Sequence, residues 1–259
     1  MSEITVEKLI SSGTHFGHLT SKWNPAMEDF VIMEKNGIHV IDLKQTIKGI
    51  EKATEFVSNI VKNGGEVLFV GTKKQAKDII KEEAIKSNMH YIAERWLGGT
   101  MTNYVTIKKS IRRMKQLQKE SQNENEWENL TKKEVLHLIK EKEKLELILG
   151  GIANMRRLPD VLFIADINRE NIAVLEALKL DIPIIGIVDT DSNPSMIDIP
   201  IPANDDSYRT IQLITKEITN AILMAKQSEK KESYEAPKKP IEKRHVAKKV
   251  EHKVEDKKD

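Results

Sequence analysis

The sequence predicts an α/β protein in which helices flank a parallel sheet and an antiparallel helical hairpin is inserted. Three observations support this prediction. Short apolar runs rich in β-branched residues occur at 67–70, 161–165 and 184–188. Segments with apolar residues at helical spacing follow these runs, which is the strand–helix alternation typical of a parallel sheet. A long, charge-rich segment separates the first of these units from the second.

The individual elements follow from local signals. Glycines precede and follow the first strand, and apolar residues at helical spacing then predict a helix over 73–86. The second strand follows Pro159 and leads into a helix near 170–180, and the third strand follows Pro183. Polar residues at 204–206 are suited to start a last helix, which we expect to run to about Lys226.

The inserted segment, 105–149, has two halves with heptad-like apolar spacing. A polar stretch over 116–128 separates them, and Thr131 with Glu134 forms a capping-box sequence at the start of the second half. A polar stretch of this length is too long for a packed connection, so we predict an antiparallel coiled-coil hairpin. Two ordinary flanking helices are the alternative.

The domain organisation follows from this pattern. We expect an α/β body formed by 1–104 and 150–227, the hairpin insertion at 105–149, and a charged tail at 228–259. The tail holds eleven Lys or Arg against eight Asp or Glu and few apolar residues, so we expect it to be disordered.

Charge and composition restrict the function. The chain has a formal net charge of +2, and the tail surplus leaves the body slightly acidic. Nucleic-acid binding would therefore depend on local basic clusters, not on a global field. The absence of cysteine excludes disulfides, thiolate metal sites and cysteine nucleophiles. With no secretory or membrane-spanning apolar run, we expect a cytoplasmic protein without a membrane partner.

Acidic residues follow the predicted strands. The sequence Asp189-Thr190-Asp191 resembles the strand-end motif of enzymes that form an aspartyl phosphate, and a magnesium-dependent phosphohydrolase is therefore the enzyme alternative. Those enzymes carry the motif on their first strand, which argues against this alternative. An EF-hand is excluded because prolines stand where its glycine and glutamate are required. An irregular metal site remains an alternative to helix-capping and turn roles for Asp189, Asp205 and Asp206.

Two further groups are candidates for binding partners. In the amino-terminal loop, His15, Phe16, His18 and Trp23 are candidate contacts for a partner. The alternatives are that the loop caps the sheet, or that His15 and His18 bind a metal, for which no third histidine is near in sequence. The second group is basic. Lys73 and Lys74 stand at a predicted helix start, where an external phosphate would offset their repulsion by the helix dipole. The other candidate RNA contacts flank the hairpin or lie in it: Arg95, Trp96, Lys108, Lys109, Arg112, Arg113, Arg156 and Arg157. Solvated helix faces are the alternative for each of these clusters.

Several sequence blocks, in order, resemble the second protein family of the bacterial small ribosomal subunit. The blocks are Gly13–His18, Trp23–Met27, Asn36–Leu43, Val70–Ala76, Arg95–Asn103, Leu158–Asp160, Ile187–Thr190 and Ile201–Asp206. They extend over most of the chain before the tail. Ala26 departs from the family pattern, in which a basic residue often follows Asn-Pro.

This resemblance implies a three-layer α/β fold, Rossmann-like or flavodoxin-like, with a protruding coiled-coil hairpin. It also implies a structural, non-enzymatic protein that binds 16S ribosomal RNA beside neighbouring small-subunit proteins. Members help to anchor the large mRNA-binding first protein of the subunit. No cofactor is required, although some members are described with zinc. The matching place here is the acidic group Asp189, Asp205 and Asp206.

Overall fold

The amino-terminal part of the protein is a short helix followed by a small antiparallel sheet. The computed structural model describes residues 4–123, 127 and 130–235. Helix α1 (Val6–Ser12) precedes β1 (Phe16–Leu19), β2 (Val31–Lys35) and β3 (Ile38–Ile41), which pair in the order β1-β3-β2. The sequence analysis did not predict this sheet, because its strands are short and only partly buried.

The centre of the protein is a five-stranded parallel sheet. Its strands are β4 (Val67–Val70), β5 (His90–Ile92), β6 (Val161–Ile164), β7 (Ile184–Val188) and β8 (Ile199–Pro202), in the spatial order β5-β4-β6-β7-β8. The predicted strands at 67–70 and 184–188 are confirmed, and the strand predicted at 161–165 is one residue shorter. Strand β5 has only three residues, and β8 contains two prolines, which a sheet tolerates at an edge. For these reasons neither was predicted.

Helices cover both faces of this sheet. One core, built on alternate strand residues such as Phe69 and Phe163, packs against α2 (Leu43–Lys62), α3 (Lys77–Ser87) and α7 (Tyr208–Glu235). The other core, built on Leu68 and Leu162, packs against α4 (Tyr104–Glu120) and α6 (Asn171–Lys179) and contacts the end of α5 (Lys132–Leu149). Because strand side chains alternate between faces, continuous apolar runs supply both cores.

Two helix boundaries differ from the predictions. Helix α3 begins at Lys77, four residues later than expected, because 73–76 form a turn whose backbone bonds lead into the helix. The last helix runs to Glu235 and not to about Lys226, because no glycine or proline interrupts the chain before Pro237. Residues 236–259, most of the predicted tail, lie outside the described residues. The proposed division into body, insertion and tail stays a prediction.

Helices α4 and α5 contact each other through polar side chains. Arg113 donates two hydrogen bonds of 3.2 Å to Glu141, and Gln118 donates one of 2.7 Å to Glu146. The capping box predicted at the start of α5 is confirmed, with Thr131 and Glu134 bonded reciprocally. The connection between the two helices passes through 124–126 and 128–129, which lie outside the described residues. Among the described helices, none has the length and apolarity needed to cross a membrane.

Candidate nucleic-acid interface and the acidic cluster

Four aspartates meet at the carboxyl edge of the parallel sheet and form what we call the acidic cluster: Asp166, Asp189, Asp205 and Asp206. Asp189 directly follows β7, Asp166 is two residues past the end of β6, and the other two follow β8. The carboxyl ends of parallel strands lie at one edge of a sheet, which is why residues distant in sequence meet here. All but Asp206 are buried.

Lys73 provides the ammonium group at the centre of the acidic cluster. Its Nζ lies 2.6 Å from Asp206 Oδ1, 2.7 Å from Asp205 Oδ1 and 3.2 Å from Asp166 Oδ2. Burial would lower the pKa of Lys73, but these carboxylates outweigh it and hold the pKa above its ordinary value. The sequence leaves two interpretations of this lysine open, a contact with an external phosphate and an ordinary solvated side chain. In the structure the protein's own carboxylates surround it.

The acidic cluster holds more negative than positive charge. Burial raises the pKa of Asp205, and the carboxylates of Asp166 and Asp189 raise it further, against the lowering effect of Lys73. The pKa values of Lys73 and Asp205 are both raised. Several carboxylates stabilise the one ammonium group, but that group alone cannot offset the repulsion among the carboxylates. The acidic cluster therefore favours protonation of a carboxylate or the binding of a further cation.

His18 is the second basic group at the acidic cluster. Its Nδ1 lies 3.2 Å from Asp189 Oδ1, and its Nε2 lies 3.5 Å from Asp206 Oδ2. Asp189 raises the pKa of His18 to about 9, against the lowering effect of burial. The backbone holds His18 in place through a 2.8 Å bond from its N–H to Thr190 Oγ1. The adjacent Gly17 must lack a side chain, since a Cβ there would lie 2.5 Å from Thr190 Cγ2.

The geometry does not favour the phosphohydrolase alternative. Asp189 is fully buried and accepts bonds from the backbone N–H groups of Thr190, at 2.6 Å, and Asp205, at 3.3 Å. A nucleophile must reach its substrate, and this carboxylate has no surface from which to do so. Asp191 accepts from Asn168 at 3.2 Å and from Ser192 at 3.0 Å.

The predicted basic contacts divide into two groups. Four have partners within the protein. Lys73 lies in the acidic cluster, Lys108 donates to the carbonyl of Arg156 at 2.9 Å, Arg113 binds Glu141, and Arg157 lies 3.0 Å from Asp160. The other five are exposed, and within the described residues their side chains have no hydrogen-bond or ion-pair partner: Lys74, Arg95, Lys109, Arg112 and Arg156. We call these five the free cations.

The free cations lie in two places. Lys74 and Arg95 follow β4 and β5 at the carboxyl edge of the sheet. A 3.2 Å ion pair between Lys77, at the start of α3, and Glu94 links the two segments that carry them. Lys109 and Arg112 are one helical turn apart on α4, and the bond from Lys108 brings Arg156 beside that helix. The sequence pattern alone does not separate these free cations from the basic residues that have partners within the protein.

The aromatic residues among the predicted contacts have different environments. Trp96 is buried, and its indole N–H donates to Glu176 Oε1 at 3.0 Å, so its ring face is not available for stacking on a base. Trp23 is partly buried and its ring lies 5.3 Å from that of His39. Phe16 is exposed, and its ring packs on that of His15 with centroids 4.0 Å apart. Burial lowers the pKa of His15.

A parallel sheet with helices on both faces defines a protein of the α/β class, and its candidate sites are the acidic cluster and the free cations. The family model for Ribosomal protein S2 matches residues 9–225 of the 259-residue chain. The chain therefore belongs to the ribosomal protein S2 family. Membership assigns it a structural, non-enzymatic role in the small ribosomal subunit and in translation.

Proposed function

We propose that the chain binds 16S ribosomal RNA through the five free cations. Family membership supports a place in the small subunit, and the distribution of partners among the basic residues supports this choice of contacts. A phosphate competes poorly for an ammonium or guanidinium group that a carboxylate already neutralises. Three residues with carboxylate partners are therefore left out of the proposed surface: Lys73, Arg113 and Arg157. Lys108 is left out because its ammonium group already donates to the carbonyl of Arg156, and Trp96 because it is buried. Helices α4 and α5 act together in this proposal as a coiled-coil hairpin that extends the RNA-binding surface from the body.

Binding to RNA should depend steeply on salt. Five phosphate contacts predict a slope of about −3 to −5 for log K against log salt, through release of counterions. The measurement is anisotropy titration of labelled 16S RNA with the full chain at several salt concentrations. Sedimentation of a cell lysate after a moderate salt wash shows whether the chain migrates with the small ribosomal subunit. A chain that stays outside the small subunit and binds RNA without salt dependence would contradict the proposal.

A second proposal concerns the outer face of the small sheet, for which the expected partner is the large mRNA-binding first protein of the subunit. Phe16 and Met33 both lie opposite Val40, so the three project from the same face. Leu19 pairs with Ile38 on that face. Phe16, Leu19 and Met33 are each about half exposed, at 49%, 53% and 54%. An apolar patch of this kind is typical of a protein interface.

Phe16→Lys combined with Met33→Lys should abolish binding of that partner, because two charges would enter the apolar contact. Binding of 16S RNA should be unchanged. Ile172→Lys combined with Leu175→Lys is the matched control, because these two residues are 54% and 53% exposed but lie on α6 and not on the small sheet. A pull-down with the purified first protein measures the effect. Equal capture by the double variant and the control would exclude this face.

The third proposal is a zinc site in the acidic cluster. Ligand atoms of His18, Asp189 and Asp205 lie within 4.8 Å of one another, and imidazole with carboxylate is a donor set that suits zinc. The excess negative charge of the cluster also fits a divalent cation. Bound zinc would supply structural cross-linking between the amino-terminal sheet and the ends of β7 and β8. Asp206, which the sequence analysis included, contacts Lys73 and His18 instead.

Equilibrium dialysis against zinc chloride tests this site. The full chain should retain one zinc ion, and His18→Gln should weaken retention by about tenfold or more, as expected for the loss of one ligand. His90→Gln is the control, since His90 lies 3.3 Å from Glu66 at the opposite edge of the sheet. Equal zinc retention by both variants would refute the assignment.

A further inference from the structure

Glu176 on α6 lies at the centre of the loop that joins β5 to α4, residues 93–103. Its side chain is buried, with 7% of the residue exposed, and five donors of the loop converge on it. Oε1 accepts from Trp96 Nε1 at 3.0 Å and from Gly99 N at 2.7 Å. Oε2 accepts from Met101 N at 2.9 Å, Thr102 N at 3.0 Å and Thr102 Oγ1 at 3.1 Å. Both carboxylate oxygens are therefore fully used.

This loop has no strand or helix of its own to satisfy its backbone. Gly99 has φ +85°, in the left-handed region that favours glycine, and its N–H can thereby point to the same acceptor as its neighbours. Converging N–H groups just before a helix form a concave site that also suits phosphate oxygens. Here the protein's own carboxylate occupies the site, and the shape of the loop depends on it.

The ends of the loop carry the proposed RNA-binding surface. Arg95 precedes Trp96, and α4, with Lys109 and Arg112, begins two residues after Thr102. We propose that Glu176 is a positioning residue for RNA binding, which holds the loop so that Arg95 and the first turns of α4 face the RNA. This inference rests on the proposed function. Glu176 itself does not contact RNA in this proposal.

The ionisation of Glu176 agrees with this role. Burial would raise its pKa, but the bonds from Thr102, Trp96, Met101 and Gly99 outweigh burial and lower the pKa. A carboxyl group with a lowered pKa in the folded state stabilises that state above its unfolded pKa. The contribution is lost as the pH falls through the lowered value. The loop should therefore loosen in acid.

Glu176→Gln tests the proposal, because an amide keeps the shape but replaces one acceptor oxygen with a donor. At least two loop donors would then lack an acceptor. We expect binding to 16S RNA about tenfold weaker, as for the loss of a buried charged acceptor. Amide exchange should accelerate at Gly99, Met101 and Thr102, and the acid-dependent loosening of the loop should become shallower. Glu83→Gln is the control, because Glu83 is also a buried helical glutamate but pairs with Lys86 on α3.

The outcomes separate this inference from the function on which it rests. If the unaltered chain does not bind 16S RNA, the proposed function fails and the inference fails with it. If the unaltered chain binds and Glu176→Gln binds equally well despite faster exchange in the loop, the inference alone is wrong. If Glu176→Gln does not fold, the RNA affinity of Glu176→Asp is measured in its place. Aspartate keeps the charge but shortens the reach, and a folded Asp variant with undiminished RNA affinity would overturn the inference.

Discussion

Lys73→Met should lower the free energy of unfolding by about 3–5 kcal/mol, because removing one partner leaves buried charges without compensation. Among the described lysines and arginines, only Lys73 forms side-chain ion pairs with the acidic cluster, and its Nζ lies within 3.2 Å of three carboxylates. Methionine keeps most of the side-chain volume, so the variant removes the charge and little packing. Denaturation by urea, with a chelator present, measures the change.

Lys74→Met is the matched control for this variant. Lys74 is adjacent in sequence but exposed, so its replacement should change stability by less than about 0.5 kcal/mol. Losses of equal size in the two variants would show that the acidic cluster does not depend on the Lys73 ammonium.

The loss in Lys73→Met should shrink as the pH falls. Burial and neighbouring carboxylates already raise the pKa of Asp205, and removing Lys73 raises it further. An acid with a raised pKa binds its proton more tightly in the folded state, so stability is gained as the pH falls from the folded pKa toward the unfolded one. Unfolding measured at about pH 5 and about pH 8 should therefore show the larger loss at the higher pH.

The sequence predicts the centre of the fold because burial on both faces leaves a clear pattern. Strands β4, β6 and β7 are continuous apolar runs, and no other arrangement covers both sides of such strands as well as flanking helices do. The edges leave weaker patterns. Strand β5 has one buried residue among its three, and β8 alternates isoleucine with proline. The small sheet was not predicted, because its strands are short and only partly buried.

The sequence places the candidate site residues but not their partners. Lys73 was correctly located after a strand, yet its partner Asp205 is 132 residues away, and no local pattern reports such a contact. The same applies to Trp96 and Glu176, which are 80 residues apart. Local chemistry shows which side chains can bind a phosphate. Only the three-dimensional structure shows which of them the protein has already neutralised.

Reversing three free cations together, Lys109→Glu, Arg112→Glu and Arg156→Glu, should reduce affinity for 16S RNA by about 100-fold to 1000-fold near 0.1 M salt. Lys109 and Arg112 lie on α4, and the bond from Lys108 holds Arg156 beside that helix, so the variant removes one patch and leaves Lys74 and Arg95 in place. Losing three phosphate contacts should also flatten the slope of log K against log salt by about 2 to 3.

The control for this variant carries the same change in net charge at exposed positions elsewhere: Lys52→Glu, Lys62→Glu and Lys81→Glu. If RNA binding depended on the overall field of the protein, both triple variants would lose affinity equally, and the proposed patch would be refuted. Because the chain has a formal net charge of only +2, attraction at long range is weak and contacts must be local. We therefore expect the control to retain most of its affinity and its salt slope, while the α4 variant binds more weakly and with a flatter slope.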